Sequence, residues 1–146
     1  MATTSRVLQC TPDDVFRVLG NGWLYPVWVV GAARVRSVDG SWPAPGSFIE
    51  HSIGIWPLLI DDSTSVLEWD PSRHMRLRAR GWPIGEANIV IDVKPRGSGC
   101  IVRVAEDAAE GPGRLVPPVL RDIGIHLRNV ESLRRLGFLA EGRAER

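Results

Sequence analysis

The chain has 146 residues, of which 44% are hydrophobic, and its 18 basic and 17 acidic side chains give a net charge of +1. This length suits one domain over residues 1–146, and such a domain can bury roughly 68–70% of its unfolded surface without a metal or disulfide staple. The balanced charge argues against nucleic acid and against an anionic membrane surface as partners. The sequence also has no 18-residue apolar run that would span a membrane.

The two cysteines, Cys10 and Cys100, form no disulfide-framework pattern. Such sparse cysteine is typical of a reducing compartment. Residues 1–9 lack the basic and then apolar order of a signal peptide. We therefore expect a cytoplasmic protein.

A short first strand at Arg6–Cys10 leads directly into the start of a helix. Thr11 suits the N-cap and Pro12 the first helical position. Asp14 stands at the capping-box position, where Glu is more usual. The Gly-Asn-Gly sequence at 20–22 ends this helix.

The apolar segment that follows, Trp23–Val30, contains Pro26 and is compatible with a second short helix or with an irregular rim. Period-two alternation and turn residues then predict six further strands. The Arg-Gly-Ser-Gly sequence at 96–99 is the strongest hairpin signal. The predicted strands are Ala33–Val38, Ser47–Ile55, Leu58–Trp69, Met75–Arg80, Glu86–Val93 and Cys100–Asp107.

The last segment, Val116–Glu141, predicts one long helix of roughly 40 Å. Its first half carries an apolar stripe that should face the concave side of the sheet. A charge placed in the stripe, as in Ile123→Asp, should then cost several kcal/mol of stability. The stripe consists of Val116, Val119, Leu120, Ile123, Leu127 and Val130.

Consecutive strands joined by short turns form an antiparallel sheet, and a sheet with one apolar face needs a helix to cover it. The predicted fold class is therefore α+β. We expect a curved antiparallel sheet of about seven strands wrapped around a long C-terminal helix, with one or two short helices after the first strand.

Five stretches carry a resemblance to a known family: Thr11–Phe16, Trp28–Ala32, Trp42–Gly46, Thr64–Pro71 and Arg128–Leu136. Together with the order of elements, they resemble the START-related SRPBCC superfamily, the helix-grip fold, and within it the polyketide cyclase/dehydrase-like subset. The resemblance implies a cavity between the curved sheet and the long helix that holds an apolar small molecule. Members of the superfamily include carriers and cyclases.

Side chains on the inner faces of the strands and the helix should line this cavity, with a volume of roughly a few hundred Å³. Trp23 and Trp28 border the mouth in this fold, where flat rings suit ring-shaped ligands, although they could equally fill core. Asn129 could orient a ligand carbonyl or tie down a loop. The predicted lining residues are Ile49, Ile53, Leu77, Ile89, Val102, Ile123 and Leu127.

The sequence contains no G-x-S-x-G elbow, P-loop or H-E-x-x-H motif. Two titratable groups, His51 and Glu106, alternate in step with inward-facing strand residues and could move a proton to or from a ligand. Alternatively, His51 is a hydrogen-bonded core residue and Glu106 lies in solvent. Because His51, His74 and His126 share no metal-ligand spacing, we expect neither a metal nor another cofactor.

Three arginines, Arg76, Arg78 and Arg80, alternate with apolar residues and should lie on the outer face of the sheet. Glu86 and Asp92 on the next strand are their predicted partners. With a net charge near zero, solvated ion pairs explain these arginines better than a nucleic-acid site does.

Three function classes are compatible with these features. The first is a carrier or sequestering protein for an apolar or aromatic molecule, lipid or polyketide-like. The second is a polyketide cyclase or aromatase with His51 or Glu106 as acid or base, and the third is a chaperone-like protein that docks a client beside the helix. A hydrophobic ligand is the expected partner, and both monomer and homodimer remain open.

Overall fold

The computed structural model of the chain describes residues 2–30, 32–55, 58–81, 85–110 and 117–144. The elements between β1 and β2 are short, whereas most of the remaining chain is strand up to one long final helix. In chain order the elements are β1 Ala2–Leu8, α1 Pro12–Leu19, a 3-10 turn Gly22–Leu24, α2 Tyr25–Trp28, β2 Ala32–Val38, β3 Phe48–Ile55, β4 Leu58–Asp70, β5 His74–Gly81, β6 Gly85–Arg96, β7 Gly99–Glu110 and α3 Pro118–Ala144.

The strands form an antiparallel sheet in the order β1-β7-β6-β5-β4-β3-β2. From β2 to β7 each strand pairs with the next, whereas β1 pairs with β7 at the opposite edge from β2. The chain between β1 and β2 must therefore cross from one edge of the sheet to the other. Helix α1, the 3-10 turn and α2 make that crossing, and α3 packs against β1 and β7. This architecture confirms the predicted α+β helix-grip fold.

Helix α1 begins as the sequence predicts. The Thr11 hydroxyl accepts a hydrogen bond from Asp14 N (3.2 Å), and the Asp14 carboxylate accepts one from Thr11 N (3.0 Å). This capping box satisfies two backbone donors that the helix itself leaves free. The segment after α1 folds as the 3-10 turn and then the single turn of α2, where Pro26 lies at the start and removes no helical hydrogen bond.

Helix α3 presents its apolar stripe to solvent, so the prediction that the stripe faces the sheet is wrong. The described members of the stripe are 44–71% exposed, and the side chain of Val116 lies outside the described residues. Although α3 has 27 residues, neither it nor any other described helix contains an apolar span that could cross a bilayer. The exposed side chains are Val119, Leu120, Ile123, Leu127 and Val130.

The inward face of this first half of α3 is polar because it finds hydrogen-bond partners on the rest of the fold. Arg128 donates to the Glu106 carboxylate on β7, and Ser132 Oγ accepts from Val30 N (3.1 Å). Asn129 is buried beside them. Periodicity identifies the apolar face of a helix. It does not show whether residues distant in the sequence offer hydrogen bonds that favour burial of the polar face instead.

From Leu133 onward α3 buries apolar side chains instead. Leu133, Leu136 and Ala140 are at most 1% exposed and belong to the main core. Gly137 lets the helix approach β1 closely, because a Cβ there would lie 2.8 Å from Leu8 Cδ2. The second half of the helix therefore holds α3 to the sheet edge.

The arginines of β5 form ion pairs, as predicted for the outer face. Arg78 Nε donates to Glu86 Oε2 (2.7 Å), and Arg80 Nε lies 3.0 Å from Glu86 Oε1. Arg76 departs from the prediction because its carboxylate neighbour is Glu68 of β4, at 3.7 Å. Exposed pairs of this kind contribute about 0–1 kcal/mol each.

The other predicted partner, Asp92, bonds a histidine instead of an arginine. His74 Nδ1 lies 2.7 Å from Asp92 Oδ1, and His74 Nε2 lies 2.7 Å from Glu68 Oε2. The hydrogen bond to Asp92 raises the pKa of the His74 imidazole most, partial burial opposes it, and the bond to Glu68 adds to the rise. The imidazolium is therefore favoured in the folded state.

The position of α3 makes a testable prediction. Leu136→Ala should lower the free energy of unfolding by about 2–5 kcal/mol, because it opens a cavity in the core. Ile123→Asp should change that free energy by about 0.5 kcal/mol at most, because the side chain is exposed. Urea unfolding of both variants measures the difference. A larger loss for Ile123→Asp would show that the stripe does face the sheet.

The raised pKa of His74 makes part of the stability depend on pH. Its contribution is fully present below the unfolded pKa of about 6.5 and is lost as the pH rises through the folded pKa. His74→Gln should therefore be least stable relative to the parent at about pH 5.5 and closest to it in alkali. The double variant Glu68→Gln with Asp92→Asn should show the same trend. A pH-independent deficit in urea unfolding would contradict this account.

Candidate functional site

A cavity lies between the inner face of the sheet and the helices α2 and α3. Its volume is about 80 Å³, and the whole empty space, including open solvent at the mouth, is about 710 Å³. The cavity volume of about 80 Å³ is smaller than the predicted few hundred Å³. The buried side chains of Tyr25 and Trp28 line the cavity. Arg128, whose side chain is 37% exposed, marks where the wall reaches the surface.

Most of the cavity wall is apolar. The inner faces of β5, β6 and β7 contribute aliphatic side chains, α2 contributes an indole, and α3 contributes a leucine. Such a wall favours an apolar ligand through the surface it removes from water, at about 25 cal/mol per Å². The apolar lining residues include Trp28, Val29, Leu77, Ala79, Ala87, Ile89, Ile91, Val104 and Leu133.

Six residues selected from the sequence lie on this wall, and five of the others lie elsewhere. The wall residues are His51, Glu106, Trp28, Leu77, Ile89 and Asn129. The side chains of Trp23, Ile123 and Leu127 are more than half exposed, whereas Ile49 and Val102 are fully buried in the packed core. The side chain of Ile53 lies outside the described residues.

The misplaced predictions have local causes. Ile49 is covered by the 3-10 turn, because a Cβ added at Gly22 would lie 3.0 Å from Ile49 Cγ2. Trp23 follows in the same turn and points outward. Ile123 and Leu127 are exposed because α3 turns its polar face inward. The sequence thus predicted that Ile49 lies on the inner face of its strand, but it did not predict that the 3-10 turn covers this side chain.

A hydrogen-bonded chain of three side chains lies on the sheet wall. Tyr25 OH and Thr64 Oγ1 share a hydrogen bond of 3.1 Å, and Thr64 Oγ1 lies 2.8 Å from His51 Nε2. The rings of Tyr25 and His51 stack with centroids 4.9 Å apart. Burial, and then the positive charge of Arg36, lower the pKa of His51 to about 4. The imidazole is therefore neutral at physiological pH.

Asp62 stands directly opposite His51 in the register of β3 and β4. Its Oδ1 accepts a hydrogen bond from Ser63 N (2.6 Å), and its Oδ2 has no hydrogen-bond partner among the described residues. Burial raises the pKa of this carboxyl to about 7. Asp62 is thus a buried acid on the cavity wall that changes charge near neutral pH.

Sequence reasoning missed Asp62, although a signal was present. The predicted strand Leu58–Trp69 contains two consecutive acids, Asp61 and Asp62. Neighbouring strand residues point to opposite faces, so one of the two must point inward. Tyr25 was also missed, because only the tertiary structure brings the single turn of α2 over β3 and β4.

Glu106 lies inside, but its charge is already paired. Its side chain is 4% exposed, and Arg128 Nη2 donates to the carboxylate. Burial raises the pKa of Glu106, and the neighbouring Arg128 guanidinium opposes that rise. The alternative that left Glu106 in solvent therefore does not hold, and the pair presents a net neutral group to the cavity.

Four buried polar atoms on the wall have no hydrogen-bond partner among the described residues: His51 Nδ1, Asp62 Oδ2, Arg128 Nε and Asn129 Nδ2. Leaving such an atom unsatisfied costs about 1–3 kcal/mol. Two of them lie on the sheet wall and two on the helix. No cluster of three or more His, Cys, Asp or Glu side chains within the described ranges is arranged to hold a metal ion.

Solved structures share the fold across almost the whole chain. Protein NE0264 from Nitrosomonas europaea is 18% identical with a TM-score of 0.75, and the match covers 99% of this chain and 96% of that one. The di-domain ARO/CYC StfQ from the steffimycin biosynthetic pathway is 16% identical with a TM-score of 0.72, covering 99% of this chain and 51% of that one. Ara h 8.0201 is 10% identical with a TM-score of 0.71, covering 96% of each chain.

No curated protein matches the sequence. The family model for polyketide cyclase / dehydrase and lipid transport matches residues 2–135, nearly the whole chain. The family match agrees with the helix-grip architecture and with a cavity under α2 and α3. The chain belongs to this polyketide cyclase / dehydrase and lipid transport family, of the SRPBCC type.

Proposed function

We propose that the protein binds an apolar or aromatic small molecule, lipid or polyketide-like, in the cavity under α2 and α3, and that it carries or sequesters this ligand. The observation that supports the proposal most directly is the make-up of the wall. An apolar surface surrounds a few buried polar atoms that have no partner within the described part of the chain. Small-molecule sites commonly have this composition.

The two parts of the wall have separate roles in this proposal. The aliphatic side chains of the sheet supply affinity through the apolar area that they bury. Asn129 Nδ2 and Arg128 Nε offer donors to a ligand oxygen, and they fix its orientation. Between two ligands that contact the sheet wall equally well, the one that leaves these donors unpaired would bind less well, because the cost of desolvating them is not recovered.

An enzyme of the cyclase type is the second candidate. It is favoured by two titratable groups, His51 and Asp62, that stand opposite each other on the wall, and by the structural likeness to the ARO/CYC StfQ. Burial moves the pKa of Asp62 up and that of His51 down, and such divergence is typical of acid–base sites. Glu106 is less available for proton transfer because Arg128 holds its carboxylate.

Filling the cavity tests the binding proposal. Ala79→Phe places a ring in the space between the sheet and the helices, and it should weaken binding of the dye N-phenyl-1-naphthylamine by about tenfold or more. Val7→Phe is the matched control, because it adds to an exposed side chain on β1. Dye fluorescence titrations measure both. Equal binding by the parent and by a folded Ala79→Phe variant would contradict a ligand site in this cavity.

A turnover assay distinguishes a carrier from an enzyme. Its substrate is the ligand that co-purifies with the native protein, identified by mass spectrometry. The variants are His51→Gln with Glu106→Gln, and Asp62→Asn, which keep size and polarity. We expect altered affinity and no product from any form, because a carrier binds its ligand without converting it. In an enzyme, loss of an acid–base group should instead lower the rate about 10²–10⁴-fold. Product formation by the parent that collapses in a variant with unchanged affinity would establish the cyclase instead.

A further inference from the structure

The sheet wall of the cavity carries two buried polar atoms, His51 Nδ1 and Asp62 Oδ2, that have no hydrogen-bond partner among the described residues. We propose that this end of the cavity binds the ammonium group of an apolar or aromatic primary amine, held by Asp62 and His51. The inference rests on the proposed ligand-binding function and names the chemical class of the ligand.

The geometry comes from the pairing of β3 with β4. His51 and Asp62 are direct register partners, so their side chains share one face with Cβ atoms about 5 Å apart. Thr64 fixes the imidazole through Nε2, at 2.8 Å. Where Nε2 carries the ring proton and donates to Thr64, Nδ1 is an acceptor. In that tautomer His51 Nδ1 and Asp62 Oδ2 are both acceptors on one face of the sheet. Both residues are at most 7% exposed, and neither atom has a partner among the described residues.

The charges around the cavity favour a cation over an anion. Among the described residues, Glu106 and Arg128 on the wall neutralise each other. His51 is neutral, which leaves the Asp62 carboxylate as the unbalanced charge. A carboxylate in such a place is costly unless a cation pairs with it. A ligand ammonium removes that cost, whereas a ligand carboxylate would add to it.

The nearest charged groups outside the cavity do not replace such a cation. Arg80 lowers and Glu86 raises the pKa of Asp62, and these two residues are paired with each other at 3.0 Å. Arg36 bonds Glu50 and donates to the backbone carbonyls of His51 and Asp62. Asp62 Oδ2 has no hydrogen-bond partner among the described residues. Tyr25, above the sheet wall, stays neutral because burial raises its pKa to about 12.

The chemistry of the two acceptors selects an amine rather than an alcohol. A primary ammonium has three N–H donors and no acceptor, so it can satisfy both atoms at once. A hydroxyl has one donor, and it leaves one of the two atoms unpaired. The apolar body of the ligand would lie against the aliphatic wall formed by Leu77, Ile89 and Ile91.

Three ligands with one skeleton test the inference by isothermal titration calorimetry: phenylpropylamine, phenylpropanol and phenylpropanoate. The parent protein should bind the amine at least about tenfold more tightly than the alcohol, and the carboxylate should bind most weakly. Asp62→Asn should weaken amine binding at least about tenfold and leave alcohol binding within about twofold. Asp92→Asn, which removes one exposed carboxylate outside the cavity, is the control and should change neither affinity.

A pH series on the parent protein provides a readout that needs no variant. With the Asp62 pKa near 7, amine affinity should fall about tenfold from about pH 8 to about pH 6, because the ionised fraction of the carboxylate falls by that factor. Alcohol affinity should stay constant. His51 does not contribute, because its pKa is about 4 and it stays neutral over this range.

The outcomes are distinct. Equal affinities of the parent for the amine and the alcohol overturn the amine inference and leave the binding proposal standing. Loss of amine binding in Glu106→Gln, with none in Asp62→Asn, overturns the assignment to Asp62. No heat from any of the three ligands overturns the inference, and the dye titration then decides separately whether the cavity binds apolar molecules.

Discussion

The fold depends on one topological constraint: its first and second strands lie at opposite edges of the same sheet. The chain between them has to cross the concave face, and it does so with helices too short to fill it. The second of these, α2, brings Tyr25 against His51 of β3 and Thr64 of β4 and places Trp28 on the cavity wall. Space remains between α2, the sheet and α3. The cavity is therefore a consequence of the crossing from β1 to β2 and not a packing defect.

The same constraint explains why α3 is divided into two halves. Its second half closes the core against β1 and α1 with Leu133, Leu136 and Ala140. Its first half lies beside the cavity, where Arg128, Asn129 and Ser132 face inward. Polar side chains can be buried there because Glu106 and the backbone of Val30 provide partners. The apolar side chains of that half are consequently left on the outer surface.

Electrostatics give the two walls of the cavity different characters. On the β7 and helix side, a buried acid is matched by a guanidinium. On the β3–β4 side, the acid Asp62 stands beside a neutral imidazole, and burial raises its pKa to about 7. A low-dielectric site strengthens the interaction of any ligand charge with such a group. The proposed binding site would therefore select a ligand by its charge as well as by its shape.

Local sequence determined much of this protein. Turn residues and period-two alternation predicted the antiparallel strands, and Thr11 and Asp14 predicted the cap of α1. These features depend on residues within a few positions of one another. The order of elements predicted the α+β class, and the family resemblance implied the helix-grip fold. The tertiary structure alone decided which face of α3 is buried, that Ile49 lies under the 3-10 turn, and that Asp62 meets His51. Each of these features depends on contacts between residues distant in sequence, such as the ion pair of Arg128 with Glu106. The periodicity of a single element carries no information about such contacts.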